Sequence, residues 1–190
     1  MMTDNKLLLQ MSRESLKGKW ALAIGATLVY LVIIAGINSI PIIGSIISLF
    51  LSGPLALGMT MFSLSISRNE DAQIEQIFKG FDQYTRTLVA HLVMILFIIL
   101  WMLLLIVPGI IKALSFSMTF FVLVDDKEIP AMEAIKKSEQ LMDGNKEQLF
   151  YLCLRFFGLA LLCILTFGIG FLWLIPYIQI TMAKFYEAIK

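Results

Sequence analysis

"QLMDGNKEQLFYL", residues 140–152, passes from a charged segment through one glycine into a long apolar run. The same junction recurs as "SLKGKWALAI" at 15–24 and "QIFKGFDQYTRTL" at 76–88, placing Gly18, Gly80 and Gly144 at intervals of 62 and 64 residues. A glycine just past a helix adopts the left-handed backbone that closes the helix end. At these junctions it would let a helix lying on a membrane give way to one that crosses it.

Outward from the junctions, charge disappears. Residues 20–67, 87–111 and 156–183 contain no Asp, Glu, Lys or Arg. Each stretch exceeds the roughly 20 residues that span a hydrocarbon core, and the first is long enough for two passes. The whole chain of 190 residues is 59% hydrophobic and 15% charged, against about 25% charged in soluble domains, and its mean hydropathy is +0.86. Breakers divide the runs: "NSIPIIG" (38–44) with Pro41, "VPGI" (107–110) with Pro108 and Gly109, and "TFGIG" (166–170) with Gly168 and Gly170. Turn chemistry of this kind predicts spans over 20–38, 45–67, 87–107, 109–125, 148–166 and 170–187.

The fold class expected is therefore all-α: a polytopic membrane protein of six transmembrane helices in three hairpins, each preceded by a cytoplasmic amphipathic helix. Residues 4–17 place Leu8, Met11, Ser12, Ser15 and Leu16 on one helical stripe; 70–79 place Ile74, Ile77 and Phe78; 131–142 place Ala131, Ala134, Ile135 and Ser138. Asn69 and Pro130 supply helix-start signals for the second and third. One domain, 1–190, would contain three repeats, 4–67, 70–125 and 131–187. If the breaker turns share one side, all 14 acidic residues and 14 of the 15 Lys and Arg lie on the other, with Lys112 the exception. The positive-inside rule then puts both termini and both long loops in the cytoplasm. The apolar run from Trp20 to Ile37 exceeds a signal-peptide core and no A-x-A site follows, so it reads as a retained first span.

Function is less legible. A net charge of +1 produces no long-range field for nucleic acid. Cys153 and Cys163, ten residues apart in one expected helix, would stand about 15 Å apart, too far to bond, and read as packing residues. The single histidine, His91, has no partner at helical spacing, and no acid lies within the apolar body of a span. This leaves little for metal, cofactor or paired-carboxylate chemistry to work with and weighs against an ion-coupled carrier, whose relays place carboxylates near mid-membrane. An enzymatic role would have to work through His91 or Ser45. Lys112 lies close enough to its turn to snorkel to the surface. Arg155, several residues inside the fifth span, requires a carboxylate, a lipid phosphate or water, with Glu147, Asp143 and the acids of "VDDKE" (124–128) as partners to weigh. Lys136 and Lys137 stand on the charged face of 131–142. Pro176 in "PYIQIT" and Pro54 in "SGPLALG" predict kinks, with Gln179 and Thr181 able to bond freed carbonyls and a cleft between the bent helices.

"VPGIIKALSFSMTFFVLVDDKEIPAMEAIKKSEQLMDGNKEQLF", then "FGIGFLWLIPYIQITMAKFYE", resembles the signature of a family of uncharacterised six-span bacterial membrane proteins, chiefly of Firmicutes, a domain of unknown function. "SRESLKGKWALAI" is similar to that family's N-terminal motif. Glu147 and Gln148 stand where many members have an aromatic residue. The resemblance implies a bacterial cytoplasmic membrane protein without catalytic residues to carry over. Together these readings predict a non-enzymatic protein, without cofactor or metal. It would bind membrane lipids or a membrane or cytoplasmic protein partner, Arg155, Lys112, Lys136 and Lys137 being the candidate contacts. The rival expectation is a transporter or lipid-handling protein with a cleft between hairpins.

Overall fold

The computed structural model describes residues 4–190, and every regular element among them is helical. The helices are α1 (Asn5–Leu16), α2 (Trp20–Asn38), α3 (Ile43–Ser67), α4 (Tyr84–Leu104), α5 (Ile106–Phe116), α6 (Thr119–Asp125), α7 (Ala131–Leu141), α8 (Lys146–Leu165) and α9 (Phe171–Ile189). Five stretches are long and apolar enough to cross a membrane: 20–38, 43–67, 74–104, 106–125 and 146–165. The last helix, α9, is not among them, because Gln179, Lys184 and Glu187 interrupt its apolar run.

The organising element is α3, which touches α1, α2, α4, α6 and α9. Its second half is almost wholly enclosed: Leu55, Leu57, Phe62, Leu64 and Ile66 are at most 2% exposed. Close approach is made by glycine. A Cβ on Gly58 would overlap the Ile77 carbonyl, and one on Gly80 would overlap the Pro54 carbonyl. In a membrane, where lipid tails are as apolar as the side chains, such backbone approach is what holds helices together.

That contact explains where the expected second surface helix went. Residues 70–79 do not form an α-helix; two 3-10 turns, Ile74–Ile77 and Lys79–Gln83, lie against α3 instead. Gly80 is a close-contact glycine within the second turn, whereas Gly18 (φ 81°) and Gly144 (φ 79°) adopt the left-handed closure expected of them. Asn69 (φ 60°) closes α3 rather than opening another helix: Asn69 N–H donates to Ile66 O and Glu70 N–H to Ser65 O.

The first and third charged segments do form helices, and both dock on the protein's own core. Leu8 and Leu16 of α1 are 0% exposed, and α1 packs on α9 and α3. Ala134, Ile135 and Ser138 of α7 are buried, and α7 packs on α4, α5 and α6. The predicted 109–125 span is broken at Ser117 and Met118 into α5 and α6. Ser138 reaches into the break from α7: its hydroxyl donates to Ser115 O at 2.7 Å and accepts from Met118 N–H at 3.2 Å. The main-chain groups freed by the break are thus satisfied from a third helix.

The three breaker turns share one device. A Cβ on Gly44 would overlap Ile37 O, one on Gly109 would overlap Met102, and one on Gly170 would overlap Cys163. In each case the glycine presses on the residue seven positions earlier. Pro41 shapes the first turn, where Ile43 N–H donates to Pro41 O at 2.7 Å and Ile42 takes φ 63°. Pro108 falls in the first turn of α5, where its missing N–H costs nothing, and Gly168 (φ 83°) follows Phe167 at the end of α8. Pro54 and Pro176 lie within continuous α3 and α9. The Thr181 hydroxyl bonds Tyr177 O, not the Leu172 carbonyl that Pro176 leaves free.

Candidate functional site: a cationic groove beside α1, α8 and α9

The chain has four arginines, and two of them hold the fold. At the ends of α3, α6 and α9, Arg68 bonds Asp125 at 2.5 Å and Glu187 at 2.7 Å, while Lys190 joins both acids and the Tyr186 hydroxyl bonds Asp125. Burial alone would pull the Arg68 guanidinium down. The bonds to Asp125 and Glu187 outweigh it and hold the group above its ordinary value. Arg86 donates to the carbonyls of Leu123, Asp126 and Lys127 and so closes the end of α6. Lys184 does the same for α3 through Ser67 O.

The other two arginines, Arg13 and Arg155, line one groove with Lys6. Along α1, Lys6, Gln10 and Arg13 stand at i, i+4 and i+7, on the exposed side of the helix whose other side is buried at Leu8, Ser12 and Leu16. Arg155 enters the same groove from α8, and Tyr177 from α9. The Tyr177 hydroxyl donates to Leu9 O at 3.2 Å, which fixes its ring, and the Arg13 guanidinium stands 5.6 Å from the ring centroid. None of Lys6, Arg13 or Arg155 has an ion pair among the described residues, and no carboxylate lines the groove. Glu147, Asp143 and the "VDDKE" acids, weighed above as partners for Arg155, are not brought to it.

The cationic chamber measures about 560 Å³. It shares Arg13, Leu159 and Tyr177 with a second chamber of about 520 Å³ lined by Trp20, Leu162, Cys163, Trp173 and Leu174. A site with three positive groups at one end and aromatic and aliphatic walls at the other suits an amphiphile with an anionic head.

The other predicted contacts lie elsewhere. Lys112 is engaged within the chain: its Nζ is 2.5 Å from Glu139 Oε1 on α7 and 5.7 Å from the ring centroids of Trp101 and Phe116. Lys136 and Lys137 are exposed on α7, away from the groove lining. His91 does find a partner, across helices and not along its own: Nε2 lies 2.8 Å from the Ser52 hydroxyl. Ser52, not Ser45, is the serine it faces. Cys153 and Cys163 are free thiols, and no cluster of metal-ligating side chains occurs among the described residues. Lys6 and Arg13 were missed by sequence reasoning. Their i, i+7 spacing was readable, but their proximity to Arg155 depends on how α1 docks.

A further cavity of about 220 Å³ lies between α2, α3, α6 and α9, one turn beyond Pro54 and Pro176. Thr60 and Ser63 on its wall turn their hydroxyls back to Ala56 O and Met59 O.

No curated protein and no solved structure matches the chain. The family model described as "Protein of unknown function (DUF975)" matches residues 1–116 and 102–190, covering the chain from end to end. With its apolar helices and its match over the full length, the chain belongs to the DUF975 family.

Proposed function

We propose that this protein is a non-enzymatic resident of a bacterial cytoplasmic membrane that binds an anionic lipid in the groove beside α1, α8 and α9. It crosses the membrane six times in three hairpins, with both termini and the charged segments in the cytoplasm. Counting α9 as the sixth crossing is supported by its packing on α2 and α3, and by the pairing of Glu187 with Arg68 in one polar cluster. Three similar hairpins are supported by the shared contact of Gly44, Gly109 and Gly170 with a residue seven earlier. The orientation rests on the one-sided placement of Lys and Arg.

One observation carries the lipid reading. Lys6, Arg13 and Arg155 line one groove, have no ion pair among the described residues, and sit beside an apolar chamber. Charged groups near a bilayer need a counter-charge or water, and lipid headgroups supply the first. Contact through the undersides of α1 and α7 is disfavoured, since both undersides are buried. Native mass spectrometry of the full chain, extracted in mild detergent, should find anionic phospholipid retained by the wild type. The double variant Arg13→Gln, Arg155→Gln should lose it while unfolding as cooperatively as before. Equal retention by the double variant would refute the reading.

The cavity between α2, α3, α6 and α9 favours a second reading, a carrier with a central cleft. Tyr30 and Gln179 face it and make no hydrogen bond among the described residues. Solute flux abolished by Gln179→Leu, with lipid retention unchanged, would select this reading.

A further inference from the structure

Resting on the lipid reading, we infer that the headgroup this groove takes is a phosphomonoester or diphosphate, carrying two or more negative charges, and not a singly charged phosphodiester. The lining brings together Lys6, Arg13 and Arg155 without a carboxylate. Two acids are bonded to lining residues: Glu14 accepts from Gln10 Nε2 at 3.2 Å, and Asp4, capping α1, accepts from Lys6 N–H at 3.3 Å; neither itself lines the groove. A monoanion leaves two of the three positive charges uncompensated beside an apolar chamber; a dianion leaves one. Residual charge is most costly where water is scarce, so selectivity follows charge number.

Geometry points the same way. Two guanidinium forks and an ammonium offer more donors than the two free oxygens of a phosphodiester can accept, while a phosphomonoester presents three. Arg13 is held in place over the Tyr177 ring, itself tied to Leu9 O. A planar fork positioned in this way is organised for bidentate phosphate binding. Room for the chain exists because Gly158 stands on the wall, and a Cβ added there meets nothing within 4 Å. The adjoining chamber past Leu162, Trp20 and Leu174 is apolar, which favours a lipid over free phosphate as the source of the anion.

The experiment uses the full chain in phosphatidylcholine nanodiscs containing either phosphatidate or phosphatidylglycerol, with inorganic phosphate as a third, soluble arm. At pH 8 phosphatidate should bind roughly tenfold more tightly than phosphatidylglycerol, the scale of one extra charge pair across a groove of this size. At pH 5 the preference should collapse as the headgroup loses its second charge near pH 6. The groups facing the site are Lys6, Gln10 and Arg13 from α1, Arg155 from α8 and Tyr177 from α9. Glu14→Gln and Asp4→Asn should each leave the pH dependence in place, and its loss in either would overturn the assignment to the headgroup.

Arg155→Gln should erase the preference while leaving some binding of both lipids. Gly158→Leu should weaken both lipids alike without changing their ratio. Equal binding of the two lipids at pH 8, still sensitive to Gly158→Leu, would overturn the dianion inference and leave the lipid reading standing. Binding of both lipids indifferent to Arg155→Gln and Gly158→Leu would overturn the lipid reading itself. Competition by inorganic phosphate as strong as by phosphatidate would assign the groove to free phosphate and overturn the lipid source.

Discussion

Ser138→Ala is expected to loosen the centre of the molecule more than its size suggests. The hydroxyl satisfies Ser115 O and Met118 N–H at the break between α5 and α6, and Ser115, Met118 and Ser138 are 2%, 0% and 0% exposed. Deleting it leaves one buried donor and one buried acceptor without partners, each costing about 1–3 kcal/mol. With partial relaxation of the break we expect a loss of about 2–4 kcal/mol. A simple interhelical side-chain bond in a bilayer averages only about 0.6 kcal/mol, so the two accounts differ measurably. Reversible unfolding in mixed micelles gives the free energy, and amide exchange over 115–119 gives the site. Destabilisation of about 0.6 kcal/mol or less, with exchange unchanged, would show that the break does not need Ser138 and would refute the reasoning.

Gly80→Ala and Gly58→Ala should each cost at least about 1–3 kcal/mol through overlap with main-chain carbonyls. Gly36→Ala, where nothing lies within 4 Å, should be neutral or stabilising in the same assay. Arg68→Leu leaves Asp125 and Glu187 to Lys190 and the Tyr186 hydroxyl; with these partners kept and the acids about a quarter exposed, the cost should be about 1–2 kcal/mol, below that of breaking a fully buried pair. Adding Glu187→Gln should recover part of it in a double-mutant cycle. For topology, cysteines at the exposed positions Ser39 and Lys137, in a chain with Cys153 and Cys163 replaced by alanine, should react with impermeant reagents from opposite sides. Reaction from one side alone would remove the six-crossing reading.

What could be read in advance depended on how local the cause was. The bounds of α2 follow from the charge of Lys19 before it and the "NSIPIIG" breaker after it, and Gly18 and Gly144 needed only a helix end to close. Gly80 looks identical in sequence yet does a different job, because the Pro54 carbonyl approaches it from α3. Asn69 was legible as a polar residue at a boundary, but which helix it serves depends on whether residues 70–79 coil alone or lie against α3. Lys112 and Arg155 were both candidate ligands by residue type. Glu139 engages the first, and no described side chain pairs with the second.

The sequence by itself determined an all-helical chain with apolar helices and charge gathered mostly at their ends and in the segments between them, with Lys112 and Arg155 as exceptions inside helices. Leaving ionised groups or unpaired main-chain groups in hydrocarbon costs more than any packing could return. Tertiary structure alone decided which polar groups are consumed within the fold and which remain free. Arg68, Arg86 and Lys112 meet partners distant in the chain. Lys6, Arg13 and Arg155 share a groove because α1 docks where its stripe can bury Leu8 and Leu16. A pairing of that kind depends on positions in space, which helical periodicity along one segment does not encode.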